Sequence, residues 1–214
     1  MSATISAPHP GSDASVWVHR FASLIPKNAG PVLDLACGGG RHTRLMLAAG
    51  YEVWAVDREA HLLLPLAGIG ARTFQLDLEA DDQVKDQVDA TVWPFERHQF
   101  AGVIVTNYLH RPLFSHLKMA LAEGGILIYE TFADGNASFG RPSNPDFLLR
   151  PGELLQQFGS DISVGQQNQV IAYEHGYVEY PHPAIVQRIC VRNMSGISQM
   201  SDVSGTMMNN VPDL

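Results

Sequence analysis

Cysteine is scarce in this chain, with two in 214 residues. Cys37 sits in a glycine-rich stretch and Cys190 in an apolar run. Neither belongs to a paired framework, so a disulfide-stapled fold is excluded and both read as free thiols of a reducing compartment. Basic charge is also short: 14 Lys and Arg stand against 22 Asp and Glu, for a net charge of -8. A large nucleic-acid footprint needs clustered cations to replace counterions, and this balance argues against one. No apolar run reaches membrane-spanning length, which argues against membrane association. The opening Met1–Asp13 lacks the basic start and apolar core of a secretory signal, so the expected location is the cytoplasm.

The chain does have apolar content, at 45%. That suffices for one domain of ordinary size with a buried core and no staples. The first eleven residues are small, polar and Pro-containing, and are expected to be mobile. Helical spacing of Val16, Trp17, Phe21, Leu24 and Ile25 predicts a helix within Ser12 to Leu24, ended by Pro26. Strands and helices then alternate. Strands are predicted over Val32 to Ala36, Glu52 to Val56, Thr73 to Leu76, Phe100 to Thr106 and Ile126 to Tyr129. Helices are predicted over Arg41 to Ala49, Glu59 to Leu64 (meeting Pro65) and Pro112 to Leu121. The acidic stretch Asp81 to Asp89 reads as a solvated helix or loop.

Strands that are continuous apolar runs separated by helices imply a parallel sheet covered on both faces. After Phe132 the pattern changes. A polar loop runs from Ala133 to Asp146, and a helix follows between Pro151 and Gly159. Two β-rich runs, Gln169 to Val178 and Ala184 to Val191, are joined by the short Tyr180-Pro181-His182-Pro183 and should pair antiparallel. The domain is expected to span 12–192, and the Ser-, Met- and Asn-rich tail 193–214 to be disordered.

The most informative segment is Val32 to Thr43. A strand enters a tight glycine turn that opens a helix, which is where α/β sheets take nucleotide-like ligands. Gly38 and Gly40 let the backbone approach a ligand where a Cβ would collide. Dinucleotide enzymes place a third glycine in this turn so that pyrophosphate can sit on the helix N-terminus, and here Thr43 occupies that position. Asp34 lies four residues before Gly38, giving Asp34-x-Ala36-x-Gly38-x-Gly40.

On these residues the chain resembles the class I methyltransferases dependent on S-adenosylmethionine (SAM). The resemblance implies a Rossmann-like, doubly wound α/β sheet, mostly parallel with an antiparallel C-terminal strand pair: the seven-stranded methyltransferase fold. It also implies SAM as cofactor, S-adenosylhomocysteine as product, and a loop of Asp34, Ala36, Cys37, Gly38 and Gly40 against the cofactor. In that family the loop packs on the amino-acid end and adenosine of SAM, with the acidic residue organising the loop and the methionine amine. Asp57, seventeen residues after Gly40 at the end of strand two, falls where a carboxylate accepts from both ribose hydroxyls; Arg58 adjoins it. Asp77 and Leu78 fall at the adenine position, and Asn107 and Tyr108 beside the transferred methyl.

Gly39-Gly40-Arg41-His42, Phe147 to Leu155 and Tyr173 to Gly176 are similar to tellurite-resistance and thiopurine-type methyltransferases, which implies a small-molecule acceptor. In-line transfer from a sulfonium asks mainly for positioning. An amine or hydroxyl acceptor also profits from a nearby base. His110 and Glu130 are the candidates for that role, and Arg111 or Arg141 for holding an anionic acceptor. Trp17 and Phe21 are candidates to roof the site, with core packing as the plainer role. No metal is assigned. An RNA or protein methyltransferase would share the cofactor site, but Asn107-Tyr108-Leu109 lacks the prolines of the Asn/Asp-Pro-Pro-Tyr motif. A nicotinamide oxidoreductase is disfavoured by Thr43, and a non-catalytic SAM-binding domain stays open.

Overall fold

The structure, a computed structural model, describes residues 14–79, 93–160 and 167–195. The expected mobile N-terminus, the acidic stretch Asp81 to Asp89 and the tail beyond Ser195 lie outside the described residues.

A seven-stranded sheet is built from β1 (Val32–Leu35), β2 (Val53–Asp57), β3 (Arg72–Gln75), β4 (Phe100–Thr106), β5 (Leu121–Phe132), β6 (Asn168–Val178) and β7 (Ala184–Asn193). Their spatial order is β3-β2-β1-β4-β5-β7-β6. Neighbours from β3 to β5 run parallel. β7 runs antiparallel to both β5 and β6. The strand order reverses between β1 and β4, which opens a crevice beyond their carboxyl ends.

Period-two alternation divides the core. Val103, Val105, Leu127 and Tyr129 point to one face and pack with Leu113 and Leu117 of α4 (Leu113–Ala120) and with Leu154 and Phe158 of α5 (Glu153–Phe158). Ile104, Ile126 and Ile128 point to the other face, under Trp17, Val18 and Phe21 of α1 (Val16–Phe21) and Met46 of α2 (Arg41–Ala48). The central strands are buried on both faces, as parallel strands between helices must be.

Three elements differ from the sequence expectation. α1 is a short helix continued by a 3₁₀ turn at Ala22–Leu24, not one long helix. α3 (Ala60–Ala67) runs through Pro65, because Leu63 and Leu66 on its inner face are both buried. β5 extends well beyond Ile126 to Tyr129 in both directions. Gly124 and Gly125 do not end it, and its polar residues Glu130 and Thr131 stay in the ladder opposite Arg188 and Gln187 of β7.

β7 likewise reaches Asn193, where the tail was expected to begin. The Asn193 side chain is buried and donates to the carbonyls of Leu121 at 2.9 Å and Ala122 at 3.1 Å. Asn193→Ala removes the side-chain donor of both carbonyls, of which that of Leu121 keeps the His98 ring nitrogen at 3.1 Å, and is expected to cost about 1–3 kcal/mol, read as a lower melting temperature. An unchanged melt would mean that this end of β7 does not hold the sheet.

Candidate active site

The carboxyl ends of the parallel strands carry a cavity of about 530 Å³. Each strand contributes to its wall: Ala36 after β1, Asp57 ending β2, Asp77 and Leu78 after β3, Asn107 and Tyr108 after β4, and Thr131 and Phe132 ending β5. Among the described residues four carboxylates line it, Asp57, Glu59, Asp77 and Glu79, against the one guanidinium of Arg58. The cavity therefore suits a ligand that is cationic or rich in hydroxyl and amine donors.

The glycine turn forms its support. Gly38 adopts φ +52° and Gly40 +74°, backbone that L side chains rarely take. A Cβ on Gly40 would lie 2.3 Å from a Leu66 methyl, so α3 packs directly on the loop. Asp57 fastens the same loop, accepting from the Gly38 N–H at 2.8 Å on one oxygen and from the Glu59 N–H at 3.0 Å on the other. Each carboxylate oxygen keeps acceptor capacity for a ligand.

Asp34 does not line the cavity. It lies 1% exposed behind the turn, where the Thr43 hydroxyl donates to it at 2.6 Å. Thr43 thus has a definite task at the position where a dinucleotide turn would have glycine. Cys37 and Gly40 are buried as well, whereas Gly38 is half-buried with open space where a Cβ would stand. Burial, with Asp34 and Asp57 nearby, pushes the Cys37 thiol up, so it stays protonated and unreactive. Burial, then Glu79, holds the Tyr108 phenol protonated as well.

A second cavity of about 240 Å³ adjoins the first, and the two share Asn107 and Phe132. Its walls come from the N-terminal segment at Ser15 and Val16, from the loop that carries Asn136, Phe139 and Arg141, and from the β6–β7 connection with Tyr180 and His182. Glu130 and Arg188 face it from β5 and β7. The Ser15 hydroxyl donates to Glu130 Oε1 at 2.9 Å, and Arg188 Nε lies 2.6 Å from Glu130 Oε2.

The Ser15 N–H donates to His42 Nε2 at 3.1 Å, leaving Nδ1 facing the Thr106 hydroxyl at 3.4 Å. Burial lowers the His42 pKa to about 3, so the ring is a neutral strut. The N-terminal segment is thereby tied to the sheet edge as a wall of this cavity. Trp17 and Phe21 pack in the core instead of roofing it.

Glu130 and Arg141 come together in the second cavity. His110 is 8% exposed and lines neither one. Arg111 is spent elsewhere, holding Glu153 of α5 through two bonds at 2.7 and 3.0 Å and the carbonyls of Asp146 and Leu148. Sequence reasoning missed Ser15, Phe132, Phe139, His182 and Arg188. Of these only Arg188 carried a signal, a lone cation inside an apolar strand. Among the described residues no cluster of His, Cys, Asp or Glu is placed to hold a metal ion.

Asp34 offers a test of how the turn is held. Burial raises its pKa to about 6 despite the Thr43 bonds. A carboxyl raised above its unfolded value of about 3.9 contributes stability that is present below that value and lost as pH rises through 6. Asp34→Asn lacks this loss, so its stability relative to the unaltered protein should rise between pH 4 and 7, by up to about 3 kcal/mol. A stability difference independent of pH would show that Asp34 is not buried as described.

The methyltransferase domain family model matches residues 12–190. Among solved structures, TehB from Haemophilus influenzae is similar at a TM-score of 0.60 and 16% identity, over 83% of this chain. This chain spans 61% of that one. An S-adenosylmethionine-dependent methyltransferase from Mesorhizobium loti is similar at 0.58 and 16% identity, over 86% of this chain and 100% of its own. One from Archaeoglobus fulgidus is similar at 0.57 and 12% identity, over 82% and 91%. At such identities the likeness shows the fold, and no curated protein matches the chain. With a seven-stranded sheet, the glycine turn at its switch point and a family match over most of its length, the chain belongs to the methyltransferase domain family, whose methyl donor is S-adenosylmethionine.

Proposed function

We propose that the protein methylates a small-molecule acceptor, binding SAM in the larger cavity and the acceptor in the smaller one. The observation that carries this reading is the junction of the two cavities at Asn107 and Phe132. A donor and an acceptor seated on either side of these residues meet end to end, as in-line displacement requires. The smaller cavity, about 240 Å³, lies just below the usual range of about 300–1,000 Å³ for small-molecule pockets, which suits a compact acceptor.

SAM supplies an electrophilic methyl on a sulfonium and leaves as the neutral thioether S-adenosylhomocysteine. The residues of this chain bind and orient. Asp57 takes the ribose hydroxyls on the acceptor capacity that Gly38 and Glu59 leave open, while Asp77 and Leu78 meet the adenine. Arg58 closes the outer wall. Ala36, Gly38 and Gly40, with Cys37 between them, shape the turn along the amino-acid end, and Asp34 steadies it from behind. Asn107 and Tyr108 border the methyl.

Glu130 faces the acceptor as a carboxylate that can accept its proton through a hydrogen bond, and Arg141 faces it as a cation. His110, off both walls, is placed among the positioning residues.

SAM and S-adenosylhomocysteine are each expected to raise the melting temperature, since a ligand that binds only the native state stabilises it by mass action. NAD and NADP should not. Asp57→Ala should weaken SAM by at least about 1.5–3 kcal/mol. It should also lower the melting temperature, because the Gly38 and Glu59 N–H groups lose their acceptor. Calorimetry finding NAD binding without SAM binding, or unchanged SAM affinity in folded Asp57→Ala, would contradict the assignment.

A further inference from the structure

The two cavities differ in the sign of their charge. Among the described residues the larger one is lined by four carboxylates and one arginine, whereas the smaller is lined by Arg41, Arg141 and Arg188 against one carboxylate, Glu130. In a chain of net charge -8 this concentration of cations on one small concave surface is a local exception. Arg188 is answered by Glu130 at 2.6 Å and by Glu174 at 3.5 Å. Arg141 is different. It is exposed on the cavity rim, and among the described residues no carboxylate lies within ion-pair distance of it.

On the floor of the cavity Glu130 and Arg188 answer each other at 2.6 Å. Apolar side chains, Phe132, Phe139, Val178 and Val186, stand among the polar ones on its walls.

We infer that the methyl acceptor is a small organic acid, an apolar body bearing a carboxylate that Arg141 holds at the rim of the second cavity. This rests on the reading that the second cavity is the acceptor site. A guanidinium presents a planar fork of N–H donors that matches a carboxylate through two parallel bonds. The apolar side chains take the rest of the molecule and leave its reacting atom at Asn107 and Phe132. The acidic cavity beside it selects the cationic donor, so opposite charges sort the two substrates to opposite sides of the junction.

The test uses benzoate, benzamide and phenyl phosphate as probes on the full chain loaded with S-adenosylhomocysteine, with loading measured first by calorimetry. Benzoate is expected to bind about tenfold or more tightly than the isosteric benzamide and more tightly than phenyl phosphate. Arg141→Ala should abolish the preference for benzoate while S-adenosylhomocysteine affinity stays constant, and Arg141→Lys should retain part of it. Benzoate no tighter than benzamide, a preference that survives Arg141→Ala, tighter binding of phenyl phosphate, or no benzoate binding at millimolar concentration would each overturn the inference with the cofactor assignment intact. Failure of S-adenosylhomocysteine to load would instead bring down the reading of the larger cavity, and this inference with it.

Discussion

Two neighbouring parallel strands leave the sheet through left-handed backbone, Ala36 at φ +52° after β1 and Asn107 at φ +55° after β4. For residues with a side chain this conformation costs on the order of 1–3 kcal/mol and persists only where the surroundings enforce it. Here the Cys37 N–H is held by the Val56 carbonyl and the Asn107 N–H by the Glu130 carbonyl, both at 2.9 Å. The two turns part on either side of the switch point, and both residues line the crevice between them. The glycine turn, the Asp57 latch and the junction of the two cavities all follow from that divergence.

Around this crevice the fold distributes charge by strand. β2 ends in a carboxylate and the segment after β3 carries two more, Asp77 and Glu79, while β7 and the loop after β5 supply arginines. The antiparallel β7 puts Arg188 directly opposite Glu130 in the ladder, so a parallel sheet gains a cation at its carboxyl edge from a strand entering in the opposite sense. The Cys37 thiol and the Tyr108 and Tyr129 phenols are held protonated, chiefly by burial, and burial holds the His42 ring neutral. The site thus has ordered hydrogen-bond acceptors and cations rather than a reactive nucleophile, which fits a reaction whose electrophile comes with the donor.

The placement of residues within one strand and the turn after it was legible in the sequence. Asp34, Gly38, Gly40, Asp57 and Asp77 are positioned by short apolar runs whose ends are visible residue by residue. The parts that depend on pairing between distant segments were not. Glu130 was noticed as a strand-end carboxylate, but its partner Arg188 follows only from the register of an antiparallel strand far along the chain. Ser15 reaches Glu130 and His42 because α1 docks on the sheet face over Ile104, Ile126 and Ile128, which no local pattern encodes. Arg111 looked available for a ligand since its binder, Glu153, lies on a helix brought near only by the folded core. Pro65 suggested the end of a helix, and tertiary burial carried the helix through it.

The most direct test of the account is a crystal structure of the protein with S-adenosylhomocysteine. The account predicts the ribose hydroxyls on Asp57, the adenine against Asp77 and Leu78, and the sulfur facing the junction at Asn107 and Phe132, with the smaller cavity left open beyond it. A product bound in the smaller cavity, or with its sulfur turned away from that junction, would contradict it.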